Sequence, residues 1–155
     1  MKLVLIVCLI GSFLASCTSG NSDSKTYYHG FANNAWEEGK TVSFSFDITD
    51  TASPYDVHGK MRITEAFSFS TLDMSLSLLT PSGSSRHKKI HLEMRNNSGE
   101  RMGSQINDYY EIAFPVYDSI RFAESGKWVM NFNHNMPVDI YKGMVGLELF
   151  VEKQK

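Results

Sequence analysis

The sequence predicts an all-β protein: an antiparallel β-sandwich, jelly-roll-like in outline, with about eight strands and little helix. From Lys40 onward, apolar residues recur at every second position, which is the period of a strand with one buried face. Segments rich in Gly, Pro, Asn and Ser separate the alternating runs, as in a sandwich of short strands. No window has the period of an amphipathic helix, and only YDSIRFAES (117–125) is a candidate for a helical turn or two.

The alternating segments are, in chain order, TVSFSFDI (41–48), VHGKMRI (57–63), TLDMSLSLL (71–79), KKIHLEM (88–94), EIAFPV (111–116), GKWVMNF (126–132) and GMVGLELFVEK (143–153). Each places apolar side chains on one face and polar side chains on the other, which is typical of an antiparallel strand with one solvated face. The inward-facing residues of the first and last segments are Val42, Phe44, Phe46 and Ile48, and Val145, Leu147, Leu149 and Val151. Because Pro115 cannot donate a ladder hydrogen bond, its strand is predicted to lie at a sheet edge or to contain a bulge.

The N-terminal segment predicts lipid attachment. After Lys2, residues 3–14 are mostly apolar, a run shorter than the about 20 residues that cross a bilayer but long enough for a signal-peptide core. It ends in Leu14-Ala15-Ser16-Cys17, which looks like the lipobox of bacterial lipoproteins, whose cysteine thiol accepts diacylglycerol. The alternative is an ordinary secretory signal with Cys17 a bystander. We predict a signal peptide at 1–16, a flexible polar tether carrying the lipidated Cys17 at 17–26, and one β-sandwich domain at 27–155.

The composition limits the partners and the sources of stability. A net charge of −2, without a concentrated basic face, argues against nucleic acid. Acyl chains on Cys17 would attach the protein to a membrane, since each buried CH₂ group contributes about 0.8 kcal/mol. Cys8 is removed with the signal peptide, so no disulfide framework can form and the domain depends on burying its apolar side chains.

No arrangement of residues predicts catalysis, a metal or a cofactor. His87 and His91 share one solvated strand face with lysines nearby, which disfavours a divalent cation. Asp50 follows a strand in a turn-rich loop and is expected to cap a turn, because that loop lacks the dense oxygen ligands of a calcium site. The signatures of common hydrolases, zinc proteases and phosphate-binding loops are missing from the sequence. The sequence therefore predicts a protein that is not an enzyme.

The aromatic stretch YYHGFANNAW (27–36) allows two interpretations. Its rings either form an exposed stacking surface for sugars or pack beneath the sandwich, and large apolar rings usually pack. Trp128 shares its strand face with Met130 and Phe132, which indicates a core position. Arg62 lies on the solvated face of its strand, and a buried pair with Asp50 or Asp56 would give it a structural role.

Several motifs follow one another in a known order: the Leu-Ala-Ser-Cys signal, a Trp, VSFSFDITD, SPYDVHGKMRI, FSFSTL, SGKWVMNFNHNM and GMVGLEL. In this order the sequence resembles the gliding-motility lipoprotein H (GldH) family of Bacteroidetes. The positions that carry the resemblance are Trp36, Phe44, Phe46, Asp50, Tyr55, Arg62, Phe67, Phe69 and Thr71-Leu72. The sequence departs from the family at Thr71, where Asn is expected, at Pro137, where Arg is favoured, and in GERMGS, where a Gly-Trp-Gly-like stretch is usual. It is therefore identified as a divergent member.

The resemblance implies an outer-membrane lipoprotein that serves the gliding machinery and its associated protein secretion. We predict a non-enzymatic accessory or structural component that binds other cell-envelope proteins, with Trp36, Asp50, Tyr55 and Arg62 as a possible interaction surface. The alternative is a module that binds a glycan or another small ligand. That alternative requires Trp36 or Trp128 to be exposed in a groove beside polar partners; the candidates are Asn131, Asn133 and Asn135.

Overall fold

The computed structural model describes residues 24–155, so the predicted signal peptide, Cys17 and residues 18–23 of the predicted tether lie outside the described residues. The described strands are β1 (Ser24–Gly30), β2 (Ala35–Glu37), β3 (Val42–Ile48), β4 (Tyr55–Thr64), β5 (Thr71–Leu79), β6 (Ser85–Glu93), β7 (Ser104–Ile106), β8 (Tyr109–Ile120), β9 (Gly126–His134), β10 (Ile140–Lys142) and β11 (Met144–Lys153). A single 3-10 turn, Ala32–Asn34, precedes β2. Because β1 begins at Ser24, residues 24–26 belong to the folded domain and not to the tether.

The strands form two main sheets and one small sheet, in which every pairing is antiparallel. The five-stranded sheet has the order β1-β11-β4-β8-β7, the four-stranded sheet has the order β3-β9-β5-β6, and β10 pairs with β2. The all-β sandwich is confirmed. The described chain has more strands than the about eight predicted, because β1, β2, β7 and β10 add to the alternating segments. Residues 117–120 continue β8, so YDSIRFAES contains no helical turn.

The core lies between the two main sheets and is built from the predicted inward positions. In β3 and β5, buried and less buried residues alternate without interruption. The prediction for Val145 was wrong: Val145 is only half-buried, because the pairing of β11 with β4 shifts between Met144 and Gly146 and displaces the alternation there. Pro115 lies on β8 beyond the short stretch that pairs with β7, next to an irregularity in the pairing with β4. The shift in register agrees with the bulge alternative, whereas β8 is not the edge strand of its sheet, because β7 lies outside it.

Lysines close the two long sides of the sandwich. On one side, Lys25 Nζ of β1 donates to the backbone carbonyl of Asp47 in β3, 3.2 Å away. On the other side, Lys88 Nζ of β6 donates to the carbonyl of Val116 in β8. Inward-pointing lysines on edge strands discourage the pairing of a foreign strand. We therefore expect partners to bind at the faces or ends of the sandwich.

The two ends of the sandwich differ in the length of their connections. At the end where β1 begins, here called the Ser24 end, residues 49–54, 80–84 and 121–125 form short loops. At the opposite end, here called the far end, residues 65–70 form a loop of similar length, and residues 31–41, 94–103 and 135–143 form longer connections that include the small sheet. Loops held on a rigid scaffold are the usual place for binding residues, so the far end is the richer candidate.

Aromatic side chains close the far end. Trp36 of β2 lies opposite Tyr141 of β10, and both rings are buried. The Trp36 indole N–H donates to the carbonyl of Lys40 at 2.7 Å, and the Tyr141 hydroxyl donates to the carbonyl of Thr71 at 2.7 Å. His134 is buried against both rings, with ring centroids 5.4 Å from Trp36 and 5.8 Å from Tyr141. Packed aromatic side chains thus cover the core at the far end.

Replacing Phe122 by Ala tests how the Ser24 end is closed. Phe122 is fully buried, and its ring lies 4.8 Å from that of Trp128 and 5.3 Å from that of Tyr55. We expect the free energy of unfolding in a urea titration to fall by about 3–5 kcal/mol, because the truncation leaves a cavity. Replacing its exposed neighbour Arg121 by Ala should change it by less than about 0.5 kcal/mol. A Phe122→Ala loss below about 1 kcal/mol would contradict this packing.

His134 makes stability depend on pH. Burial lowers the pKa of His134, although the nearby charge of Glu38 and the Trp36 and Glu37 carbonyls oppose this shift. Because the unfolded chain binds the proton more readily, stability should fall as the pH drops through about 6.5 toward the lowered pKa of the folded state. A single proton gives a slope of at most about 1.4 kcal/mol per pH unit.

The His134→Phe variant keeps a ring between Trp36 and Tyr141 but removes the titrating group. Urea titrations between pH 5 and 8 should give a flatter stability profile for this variant than for the wild type. Identical slopes for the two proteins would show that His134 does not contribute to the pH dependence.

Candidate functional site

The structure does not bring the four predicted site residues together. Trp36 and Tyr55 are buried, with 1% and 6% of their surface exposed, so they belong to the core and offer no docking surface. Asp50 lies in the loop after β3 at the Ser24 end, whereas Arg62 lies on the outer face of the five-stranded sheet. Trp128 is also buried, at 3% exposed. Trp36 lies in the wall of a shallow pocket beside β1 and β2, but its burial leaves no ring face on which a ligand could stack.

Asp50 organises its own loop. Its carboxylate accepts hydrogen bonds from the Ala52 N–H at 2.8 Å and from the Ser53 hydroxyl at 2.8 Å, and it pairs with Lys153 Nζ at 2.7 Å. These contacts, first among them the bond from Lys153, hold the pKa of Asp50 well below its usual range. The Tyr55 hydroxyl donates to the Asp50 carbonyl at 3.0 Å. Within residues 24–155, no group of three or more His, Cys, Asp or Glu side chains is placed to hold a metal.

Arg62 is the centre of a charged cluster that the sequence did not reveal. Its Nε lies 2.6 Å from a Glu111 oxygen and its Nη2 lies 2.9 Å from a Glu148 oxygen. Lys60 completes the cluster, with its Nζ 3.2 Å from Glu111 and 3.7 Å from Glu148. Two cations and two anions cancel, so the cluster is electrically neutral. We call these four residues the Arg62 cluster.

The Arg62 cluster is held in a partly dry environment. Only 12% of the Glu111 side chain and 13% of the Glu148 side chain are exposed. The bond to Glu111 raises the pKa of Arg62. Burial alone would raise the pKa of Glu111, but the bonds from Arg62 and Lys60 lower it below its usual value. Arg62 and Glu111 therefore stay charged near neutral pH.

Two tyrosine rings flank Arg62. Its guanidinium carbon lies 5.6 Å from the ring centre of Tyr28 and 5.4 Å from that of Tyr109. These distances fit cation–π contact. Tyr28, in β1, is half exposed, and it lies directly opposite Glu148 in the pairing of β1 with β11. The outer face of the five-stranded sheet thus combines aromatic rings with fixed charges.

The outer face of the four-stranded sheet is different in character. Small polar side chains pair along it: the Ser43 hydroxyl donates to the Asn131 side-chain oxygen and the Thr41 hydroxyl donates to Asn133, both at 2.6 Å. These are the asparagines that the glycan hypothesis required beside a tryptophan. Because both tryptophans point into the core, the asparagines have no aromatic ring as a companion.

The far end carries exposed apolar side chains. Among residues 24–155, the large hydrophobic residues that are exposed are Tyr28, Met102, Ile106 and Ile140. Tyr28 lies on the outer face described above, and the other three lie on the loops and short strands of the far end. Met102, Ile106 and Ile140 are called the far-end apolar residues below.

Arg101 fixes the loop that carries Met102 and leads into β7, the strand of Ile106. Its Nη2 donates to the carbonyls of Glu65 at 2.7 Å and Phe67 at 2.9 Å, and 6% of its side chain is exposed. Its guanidinium carbon lies 5.3 Å from the ring centre of Tyr110, whose hydroxyl donates to Glu65 at 2.6 Å. The loop 94–103 is therefore tied to the loop 65–70, so the exposed side chains project from an ordered base.

Replacing Arg62 by Ala tests the Arg62 cluster. The change leaves two poorly exposed carboxylates with only Lys60 as a partner. We expect the free energy of unfolding at pH 7 to fall by about 1–3 kcal/mol, which is the cost of leaving such groups unsatisfied. Arg86→Ala, on the exposed part of β6, is the control and should change stability by less than about 0.5 kcal/mol. Equal effects of the two substitutions in urea titrations would disprove the structural role of Arg62.

Among residues 24–155, the structure contains no helix with the length and apolar character of a membrane span.

Comparisons with known proteins identify the family. The gliding motility lipoprotein GldH of Flavobacterium johnsoniae is 24% identical over 119 residues, which cover 76% of this chain and 72% of that protein. The GldH homolog of Christiangramia forsetii is 24% identical over 115 residues, which cover 74% of this chain and 71% of that protein.

A solved structure, the infectious bursal disease virus VP2 subviral particle, matches with a TM-score of 0.43 and 11% identity. The match covers 85% of this chain and 34% of the viral chain, and it is too weak to inform fold or function. The family model for the GldH lipoprotein, in contrast, matches residues 24–149, nearly the whole described chain. This protein therefore belongs to the GldH lipoprotein family, as the order of its sequence motifs predicted.

Proposed function

We propose that this gliding-motility lipoprotein is a non-enzymatic accessory component of an outer-membrane assembly for gliding and its associated secretion. In this proposal a lipid on Cys17 holds the domain at the membrane, and the far end binds other envelope proteins. The observation that carries the proposal is the position of the far-end apolar residues. All three lie opposite the end at which β1 leads back to Cys17.

The physical argument starts from the chain direction. Ser24 follows Cys17 by only seven residues, which span at most about 25 Å. Ser24 therefore lies within about 25 Å of the anchor, and in the proposed arrangement the far end points away from the membrane. Contiguous exposed apolar surface is typical of protein-binding sites, and in this proposal the far-end apolar residues contribute to one such surface. Met102, Ile106 and Ile140 are 38%, 38% and 49% exposed.

The edge strands along the sides of the sandwich disfavour strand addition by a partner, which supports docking at the far end. Lys25 and Lys88 occupy the edge strands β1 and β6 and reach across to the opposite sheet. A partner that added a strand at either edge would have to displace these contacts. Docking at the far end requires no such rearrangement.

The lipid anchor is tested by Cys17→Ala. We expect the variant to lose incorporated radiolabelled palmitate and to move from the membrane fraction to the soluble fraction. Its circular dichroism spectrum should match that of the wild type, because Cys17 lies before the folded domain. Retention of the variant in membranes after an alkaline wash would contradict anchoring through Cys17.

The docking surface is tested by Ile106→Asp combined with Ile140→Asp. After crosslinking in intact cells and affinity purification, we expect recovery of partner envelope proteins to fall at least tenfold, because the charges would be buried against an apolar partner surface. Ala123→Asp, on an exposed loop at the Ser24 end, is the matched control and should leave recovery unchanged. Unchanged recovery with the far-end variant, or an equal loss with the control, would overturn the proposal.

A further inference from the structure

The Tyr28 ring is held flat on the outer face of the five-stranded sheet by a pair of glycines. Gly30 and Gly146 lie opposite each other in the pairing of β1 with β11. A Cβ atom built on Gly146 would lie 2.5 Å from the Tyr28 ring, and one built on Gly30 would lie 3.4 Å from it. The ring therefore covers both positions, and any larger residue at 146 would push it away.

Glycine weakens a strand, so a glycine pair lowers the stability of the pairing between β1 and β11. The space that the Tyr28 ring occupies explains why both positions are glycine. One face of the ring lies on the glycine backbone, and 52% of the residue remains exposed. The exposed part of the ring is consequently accessible from solvent. The result is a flat aromatic surface, here called the Tyr28 platform.

Fixed polar groups lie beside the Tyr28 platform. Glu148 is the direct cross-strand neighbour of Tyr28, and the Arg62 guanidinium carbon lies 5.6 Å from the centre of the Tyr28 ring. Lys60 is in turn the cross-strand neighbour of Glu148. Carboxylates accept hydrogen bonds, whereas guanidinium and ammonium groups donate them, so the cluster offers both kinds of partner within one small area. Their mutual ion pairs hold these groups in position before a ligand arrives.

From this arrangement we infer that the outer face of the five-stranded sheet binds a neutral saccharide. The apolar face of a sugar ring stacks on Tyr28, and its hydroxyl groups bond with Glu148, Lys60 and Arg62. Ligand sites of this type combine an aromatic surface with a few placed polar groups. The electrical neutrality of the Arg62 cluster favours an uncharged ligand over an anionic one. This site does not depend on the docking role, although it borders Ile106, whose cross-strand partner Tyr109 flanks Arg62.

The experiment titrates the full-length lipidated protein, in a detergent without sugar groups, with soluble hexasaccharides of glucose, mannose and galactose. Saturation-transfer difference NMR measures binding, and a hexasaccharide of galacturonic acid serves as the charged comparison. We expect at least one neutral hexasaccharide to bind with a Kd of about 1 mM or below. The uronate should bind at least tenfold more weakly.

Three variants locate the site. Tyr28→Ala should weaken binding at least tenfold, whereas Tyr28→Phe, which keeps the ring, should stay within about twofold of the wild type. Gly146→Ala keeps Tyr28 but forces its ring off the sheet, so it should weaken binding at least fivefold. The melting temperature of each variant is measured to confirm that it is folded.

The outcome separates this inference from the docking proposal. The Ile106→Asp, Ile140→Asp variant should bind the saccharide as the wild type does, and Tyr28→Ala should still recover partner proteins. The inference is wrong if no neutral hexasaccharide shows saturable binding at concentrations up to about 20 mM. A functional saccharide site has a Kd below that concentration. Undiminished binding by a folded Tyr28→Ala variant would overturn it equally.

Discussion

Contact between the inner faces of the two main sheets is the interaction on which the rest of the structure depends. The described residues contain no cysteine, so no covalent cross-link supports the fold. Side chains such as Phe46, Met61 and Leu76 are buried almost completely in this layer, and each contributes roughly 1.5–3 kcal/mol. Since alternation commits every second residue of a strand to the layer, the remaining positions are free to form the two outer faces. Their contrasting chemistry is possible because neither is needed for the core.

The sequence was sufficient to predict the strands that are long and in which apolar and polar residues alternate. It did not reveal β2, β7 and β10, since three residues are too few to show a period. It also did not reveal β1, a strand at the sheet edge with mostly exposed side chains and no alternation of polarity. The burial pattern of Val145 was missed because a bulge depends on how two strands align, and alignment is a property of the pair.

The candidate surfaces were harder to predict, for a related reason. Arg62 was identified from its outward position and from the family resemblance, but its partner Glu111 is 49 residues away and becomes a neighbour only through the strand order β11-β4-β8. For Trp36 the sequence left both an exposed and a packed position open, and β2 carries it into the core opposite Tyr141. The exposed ring was Tyr28. A pair of glycines at matching positions is the one sequence signal for it, and it requires the register of β1 to be known.

The position of β1 has a mechanical consequence. β1 is an edge strand that pairs with β11 over its whole length, from Ser24 to Gly30, and Ser24 is the point at which the membrane attachment would enter. A load between a membrane anchor and a partner held at the far end would run parallel to β1. The hydrogen bonds between β1 and β11 would then be sheared together and would not be peeled apart one at a time. A tensile load in this direction meets the strongest resistance that such a two-strand joint offers, which would suit the assembly role proposed above.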